Sequence, residues 1–161
     1  MSEQPFEELA MPLFASLYGY ARWLTREPHE AEDLVQETYL KALRGFDSFR
    51  QGTNFRAWMF RILRNTFLTS RAGLKETAEV DEEIEDGSTP ETQFMNRASG
   101  EALRRAIENL PLIFREVLLL SDVENMSYKE ISEALSIPIG TVTSRLMRAR
   151  QRVRKALEDI R

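Results

Sequence analysis

Ser127-Tyr-Lys-Glu-Ile-Ser-Glu-Ala-Leu-Ser-Ile-Pro-Ile-Gly-Thr-Val-Thr-Ser-Arg-Leu-Met-Arg-Ala-Arg150 is the stretch that decides the fold. Its first four residues form a capping box: the Ser127 hydroxyl can accept the amide of Glu130, and the Glu130 carboxylate can reach back to the amide of Ser127. A short helix follows, with Ile131, Ala134 and Leu135 on one face. Ser136-Ile137-Pro138 breaks it, and proline is tolerated in the first turn of the next helix. From Gly140 a second helix runs to about Ile160. Two such helices around a tight turn predict a helix-turn-helix, whose second helix can lie in a major groove. That helix carries Arg145, Arg148, Arg150, Arg152, Arg154 and Lys155, with no acid among them before Glu158. Taken alone, the pattern also fits a plain helical hairpin with a solvated basic face.

Outward from this stretch everything well patterned is helical. Leu112 to Asp122 is apolar through Ile113, Val117, Leu118 and Leu120, and Phe94 to Asn109 reads as a helix that stops before Pro111. In the first half, Phe6, Leu9, Leu13, Phe14, Leu17, Tyr18 and Ala21 recur at three- and four-residue steps. Pro28 opens a second helix with Leu34, Val35, Tyr39, Leu40 and Leu43 as its expected buried stripe, and Gly45 ends it. Phe46 to Asn54 is a loop, and Phe55, Trp58, Met59, Ile62, Leu63 and Phe67 define a third long helix. The expected fold class is all-α, with two small helical domains at 1–75 and 96–161 joined by a flexible acidic linker at 76–95.

Charge is unevenly distributed. The net charge is −4, which by itself argues against a nucleic-acid partner. Residues 1–40 carry a net −6, residues 41–75 a net +7, residues 76–95 a net −8 and residues 96–161 a net +3. Basic segments are therefore separate from acidic ones, and the average is misleading. Residues 76–90 hold few apolar side chains and much like charge, so they cannot offset their chain entropy by burial. That segment reads as a solvated spacer or, in a more active role, as a mimic of nucleic acid lying on basic surfaces.

Composition excludes several classes. There is no cysteine, so disulfides, thiolate metal sites and thiol redox sensing on this chain are out. No apolar run nears the roughly 20 residues that span a bilayer, and the acidic start lacks a signal-peptide pattern, so membrane insertion is not expected and a cytoplasmic location is. No phosphate-cradling glycine loop, spaced metal-ligand cluster or nucleophile–base pair is present, so no catalytic residue, cofactor, metal or small-molecule substrate is expected. Glu82 and Glu83 lie in the linker with nothing to desolvate them. His29 sits in a polar helix start and reads as a surface residue.

The quoted stretch closely resembles domain 4 of extracytoplasmic-function (ECF) sigma factors, the group 4 members of the sigma-70 family. Ala31-Glu-Asp-Leu-Val-Gln-Glu-Thr-Tyr-Leu-Lys-Ala-Leu43, Phe46-Asp-Ser-Phe-Arg50 and Trp58-Met-Phe-Arg-Ile-Leu-Arg-Asn65 resemble domain 2 of the same family. The resemblance covers nearly the whole chain in the expected order. It implies a transcription initiation factor, not an enzyme, that binds core RNA polymerase and promoter DNA and is controlled by an anti-sigma protein. Gln51-Gly-Thr-Asn-Phe-Arg-Ala-Trp58 and Leu120-Ser-Asp-Val-Glu124 are similar to the subgroup controlled by zinc-binding anti-sigma proteins.

The resemblance assigns expected sites. Glu32, Asp33, Gln36 and Glu37 resemble the surface that docks on the largest catalytic subunits of the polymerase, with Leu34 as an apolar anchor; carboxylates on one helix face invite an arginine-rich partner. Asp47 to Phe55 resembles the loop that captures a flipped base of the −10 element. There Ser48, Arg50, Thr53 and Asn54 are expected to offer polar contacts and Phe49 and Phe55 apolar surface, while Arg56, Arg61, Arg64 and Asn65 hold the separated strand. Trp58 and Tyr39 are expected in the core. Thr141, Thr143, Ser144, Arg145, Met147 and Arg148 correspond to the −35 reader. Relatives often have a basic residue at 143 and an aromatic or His at 147, so the sequence read is less defined than the docking mode, with Arg148 the best candidate for a base or backbone contact. Two rival functions remain at this level. A stand-alone helix-turn-helix regulator leaves Asp33 to Asn65 unexplained, and a sigma-like decoy for an anti-sigma protein would normally add a receiver domain.

Overall fold

The computed structural model describes residues 5–50, 52–70, 74 and 99–159. The expected linker at 76–95 and the expected helical start at Phe94 lie outside the described residues. Within them the chain is helical, with no strand.

The first half holds four helices: α1 (Phe6–Ala10), α2 (Phe14–Thr25), α3 (Pro28–Gly45) and α4 (Phe55–Thr69). The amphipathic run expected from Phe6 to Ala21 is interrupted by a 3-10 turn at Met11–Leu13, where Pro12 has no amide to donate. Arg26 takes a left-handed conformation (φ 62°) to end α2. The Glu27 carboxylate then caps α3, accepting the amides of His29 at 3.1 Å and Glu30 at 2.8 Å. Leu17, Tyr20, Ala21, Leu24, Met59, Phe60, Leu63 and Phe67 fill the core between α2, α3 and α4.

The buried stripe of α3 differs from expectation. Leu34 and Val35 are buried, but Leu40 and Leu43 are 47% and 54% exposed, and Tyr39 is half-buried. Ala31, Thr38 and Ala42 take the inner face instead. Small side chains let the helices approach closely, and the Thr38 hydroxyl is satisfied by donating to the Leu34 carbonyl at 2.7 Å.

The second half comprises α5 (Ser99–Glu108), α6 (Leu112–Leu118), α7 (Tyr128–Leu135) and α8 (Ile139–Glu158). A π-helical turn at Leu119–Val123 continues α6. The Arg115 side chain, fully buried, donates to the Leu110 carbonyl at 2.9 Å and so satisfies an acceptor in the connection between α5 and α6. Ile131, Ala134 and Leu135 of α7 meet Val142, Leu146 and Ala149 of α8 in the core. Ser136, at φ 56° and ψ 47°, makes the sharp turn between them.

The two halves are not held apart. Their buried apolar side chains form one continuous cluster, and α4 lies along α7.

Candidate polymerase and promoter interfaces

On α3, Glu32, Asp33, Gln36 and Glu37 are all exposed. A cleft of about 390 Å³ opens beside them, lined by Glu30, Asp33, Leu34, Glu37, Lys41 and Thr66 among others. Leu34 forms part of its wall but is only 5% exposed, so it is a core residue and not a projecting anchor. Leu40 stands exposed one turn beyond Gln36 and Glu37. Its apolar side chain suggests burial, but the i, i+4, i+7 phase from Asp33 through Glu37 to Leu40 places it outside.

The loop before α4 is built around aromatic packing. Phe49 is 9% exposed, with ring centroids 5.1 Å from both Phe55 and Trp58 and 6.1 Å from Phe46. Phe49 is therefore a structural wedge and not open stacking surface, while Phe55 and Trp58 are half-buried. Gly52 adopts φ +89°, which a glycine tolerates without strain. Ser48 donates to the Gly45 carbonyl at 2.7 Å and Thr53 to the Arg50 carbonyl at 2.6 Å. Ser48, Arg50, Thr53, Arg61 and Asn65 are exposed.

Three of the residues expected at the −10 element are engaged elsewhere. Asn54 caps α4 by accepting the Ala57 amide at 2.9 Å, and its Nδ2 donates to Glu130 at 3.0 Å. Arg56 grips both Glu130 oxygens, with Nη2 at 3.0 and 2.9 Å, and reaches the Glu124 carbonyl at 3.2 Å. Arg64 Nε lies 2.7 Å from Glu116, whose side chain is fully buried. Arg26 adds a bond to the Glu108 carbonyl at 2.5 Å. The partners come from the second half, and the sequence contained one sign of this: Glu116 is a lone acid within the apolar run of α6, and a buried charge requires a partner.

These contacts shape the acids differently. Burial pushes the Glu116 carboxyl upward, against the pull of Arg64 toward the ionised form. Partial burial also works against ionisation of Glu130, but hydrogen bonds from Asn54, the Ser127 amide and Arg56 outweigh it, and its pKa is lowered. The Tyr20 hydroxyl, buried at this seam, has no hydrogen-bond partner, and its pKa is raised by burial and then by nearby Glu116.

In the helix-turn-helix, Glu130 accepts the Ser127 amide at 3.1 Å and donates its own amide to the Ser127 hydroxyl at 3.1 Å, completing the expected capping box. Thr143, Ser144, Met147 and Arg148 are exposed along α8, while Thr141 and Arg145 are half-buried. Part of the basic run serves the fold: Arg150 pairs with Asp122 at 2.7 Å, and the Arg152 guanidinium sits 4.8 Å over the Phe114 ring.

Residues 12–76 match the family model for sigma-70 region 2, and residues 100–153 match that for sigma-70 region 4. The chain is 32% identical over 152 residues to the ECF RNA polymerase sigma-E factor of Haemophilus influenzae, covering 86% of this chain and 79% of that protein. The chain belongs to the ECF sigma factors. It is also 34% identical over 158 residues to the ECF RNA polymerase sigma factor SigE of Mycolicibacterium smegmatis, covering 94% of this chain and 61% of that longer protein. Among solved structures it resembles the sigma factor RpoE of Bartonella quintana in complex with the anti-sigma factor NepR, at 30% identity and a TM-score of 0.74, covering 97% of this chain and 98% of that one. It also resembles CnrH in complex with the cytosolic domain of CnrY, at 25% identity and a TM-score of 0.68, over 95% and 87% of the two chains. In this sigma factor the polar seam thus joins region 2, through Arg56 and Arg64, to region 4, through Glu116 and Glu130. Among the described residues no helix is long and apolar enough to cross a membrane.

Proposed function

We propose that this chain binds core RNA polymerase in the cytoplasm and directs it to promoters, with a separate surface for each task. The acidic side of α3, at Glu32, Asp33, Gln36 and Glu37 with Leu40 as its apolar neighbour, docks on the largest polymerase subunits. Ser48, Arg50, Thr53 and Asn54, with Arg56, Arg61, Arg64 and Asn65 of α4, meet the −10 element once its strands part. Thr143, Ser144, Met147 and Arg148, flanked by Thr141 and Arg145, face the −35 element from α8. An anti-sigma protein is the regulatory partner, as the similar sigma factor RpoE of Bartonella quintana is described in complex with one. No chemical reaction is assigned to the chain.

The observation that carries this reading is the segregation of exposed charge: carboxylates on α3 stand apart from the exposed Arg148 on α8. A stand-alone regulator gives the α3 face no task. The test is run-off transcription with core polymerase on templates of genomic fragments. Initiation at defined positions only when the chain is added supports the reading; identical transcripts with and without it would sink it.

A further inference from the structure

The outer face of α8 carries two rows of side chains that differ in chemistry. Val142, Leu146 and Ala149 point into the core, and neither outer row joins them there. Ser144 and Arg148, four residues apart and exposed, form a polar row. Ile139, Thr143 and Met147 repeat at the same step beside it. Ile139 is 48% exposed and Met147 59%, with Thr143 exposed between them. The Thr143 hydroxyl donates to the Gly140 carbonyl at 2.9 Å, so toward a partner it keeps a methyl group and an acceptor but no donor. The whole row therefore presents no hydrogen-bond donor. Single exposed apolar side chains are ordinary on a protein surface, but these are aligned on the face that also carries Arg148.

We propose that the Ile139–Thr143–Met147 row reads thymine in the −35 element, by apolar contact with the C5-methyl group. This rests on the placement of α8 in the major groove at that element and goes beyond it by naming the base that the row selects. Guanine shows the major groove two acceptors, and a row without donors leaves both stripped of water and unpaired. Thymine is the one base that adds a methyl group, which gains by leaving water. The occupant is DNA and not an apolar protein face because the neighbouring row is cationic: Arg148 adjoins Met147, and Arg145 lies half-buried one turn after Thr141. Eight residues of helix from Ile139 to Met147 span about 12 Å, against about 3.4 Å per base step, so the row faces more than one base pair. The two rows divide the reading between them, with methyl groups taken by one and acceptors by Arg148.

The test keeps the protein whole and edits the DNA by single methyl groups. A promoter active in the run-off assay is rebuilt with deoxyuridine in place of each thymine of its upstream element in turn; this removes the methyl and preserves pairing. Core polymerase with the wild-type chain is expected to bind about fourfold more weakly at each contacted thymine, the worth of one buried methyl. With Met147→Ala that penalty is expected to vanish at one thymine at least, and with Ile139→Ala, Thr143→Ser and Met147→Ala combined it should vanish at all of them. No uracil penalty in the wild type, an active upstream element free of thymine, or an undiminished penalty in the triple variant would each overturn the proposal. Arg148→Ala is expected to weaken binding to both templates and leave their ratio unchanged. A ratio that collapses in that variant assigns the methyl contact to Arg148 and also overturns it. The promoter-directing reading fails separately, if the wild-type chain gives no defined start with core polymerase; a wild type that initiates but ignores uracil sinks only the thymine assignment.

Discussion

Arg56 and Glu130 lie 74 residues apart in sequence, yet the guanidinium Nη2 of one sits 2.9 Å from the carboxylate of the other. The same carboxylate closes the cap of the helix-turn-helix. Local helix formation and domain arrangement therefore share one side chain. Its protonation and replacement have effects that can be separated by measurement.

Acid should weaken this connection in a definable direction. Glu130 has a lowered pKa in the folded chain, so its contribution is present above the ordinary carboxylate pKa and is lost as pH falls through the folded value. Glu116 is raised, so its ionisation opposes folding as pH climbs, and acid relieves that opposition. Urea unfolding measured between about pH 3 and pH 7 should show a shallower acid loss for Glu130→Gln than for wild type, and a steeper one for Glu116→Gln. Parallel profiles for all three would contradict these assignments.

The Arg64–Glu116 pair should behave as a buried ion pair does. Removing one member, as in Arg64→Leu, leaves the Glu116 carboxyl buried without its partner and is expected to cost about 3–5 kcal/mol. Replacing both residues by leucine should recover most of that loss, because no desolvated charge remains. Denaturant titration decides it, and a double variant no more stable than the single would refute the account.

The α3 surface makes a distinction that affinity and stability measurements can read separately. Asp33→Ala with Glu37→Ala, and independently Leu40→Ala, should weaken binding to core polymerase while leaving the melting curve nearly unchanged. Leu34→Ala should instead lower stability by about 2–5 kcal/mol through a core cavity. If Leu40→Ala proves as destabilising as Leu34→Ala, the placement of Leu40 on the docking surface is wrong.

Ser136 holds a left-handed conformation that costs a residue with a Cβ about 1–2 kcal/mol. Ser136→Gly removes that strain at the expense of added freedom in the unfolded chain. The net expectation is a gain of about 0.5–1 kcal/mol, seen as a higher Tm in calorimetry. A lower Tm would mean that the serine side chain contributes more than its backbone costs.

Arg148→Ala addresses the recognition helix. Loss of a base contact should reduce discrimination between a cognate promoter and a −35 mutant by about 1–3 kcal/mol, with core binding intact. Footprinting of the assembled polymerase on both templates provides the measurement. Equal affinity changes on the two templates would instead identify Arg148 as a phosphate contact.

Much of the molecule was legible in the chain itself where the physics is local. The Ser127–Glu130 cap, the Pro138 restart, the Pro28 start of α3 and its end at Gly45 depend on residues a few positions apart, and each stands as the pattern indicated. Family motifs spread over both halves carried the recognition as an ECF sigma factor for the same reason: they are contiguous strings. Burial around α3 was less legible, because an apolar side chain states a preference and not a location. Leu40 and Leu43 ended outside while Ala31, Thr38 and Ala42 took the close-packed face. The pairing of Arg56 with Glu130 and of Arg64 with Glu116 was decided by tertiary structure alone. Coulomb attraction gives an arginine no preference among many carboxylates; only the packing of α4 against the second half brings these within hydrogen-bond reach and removes competing water.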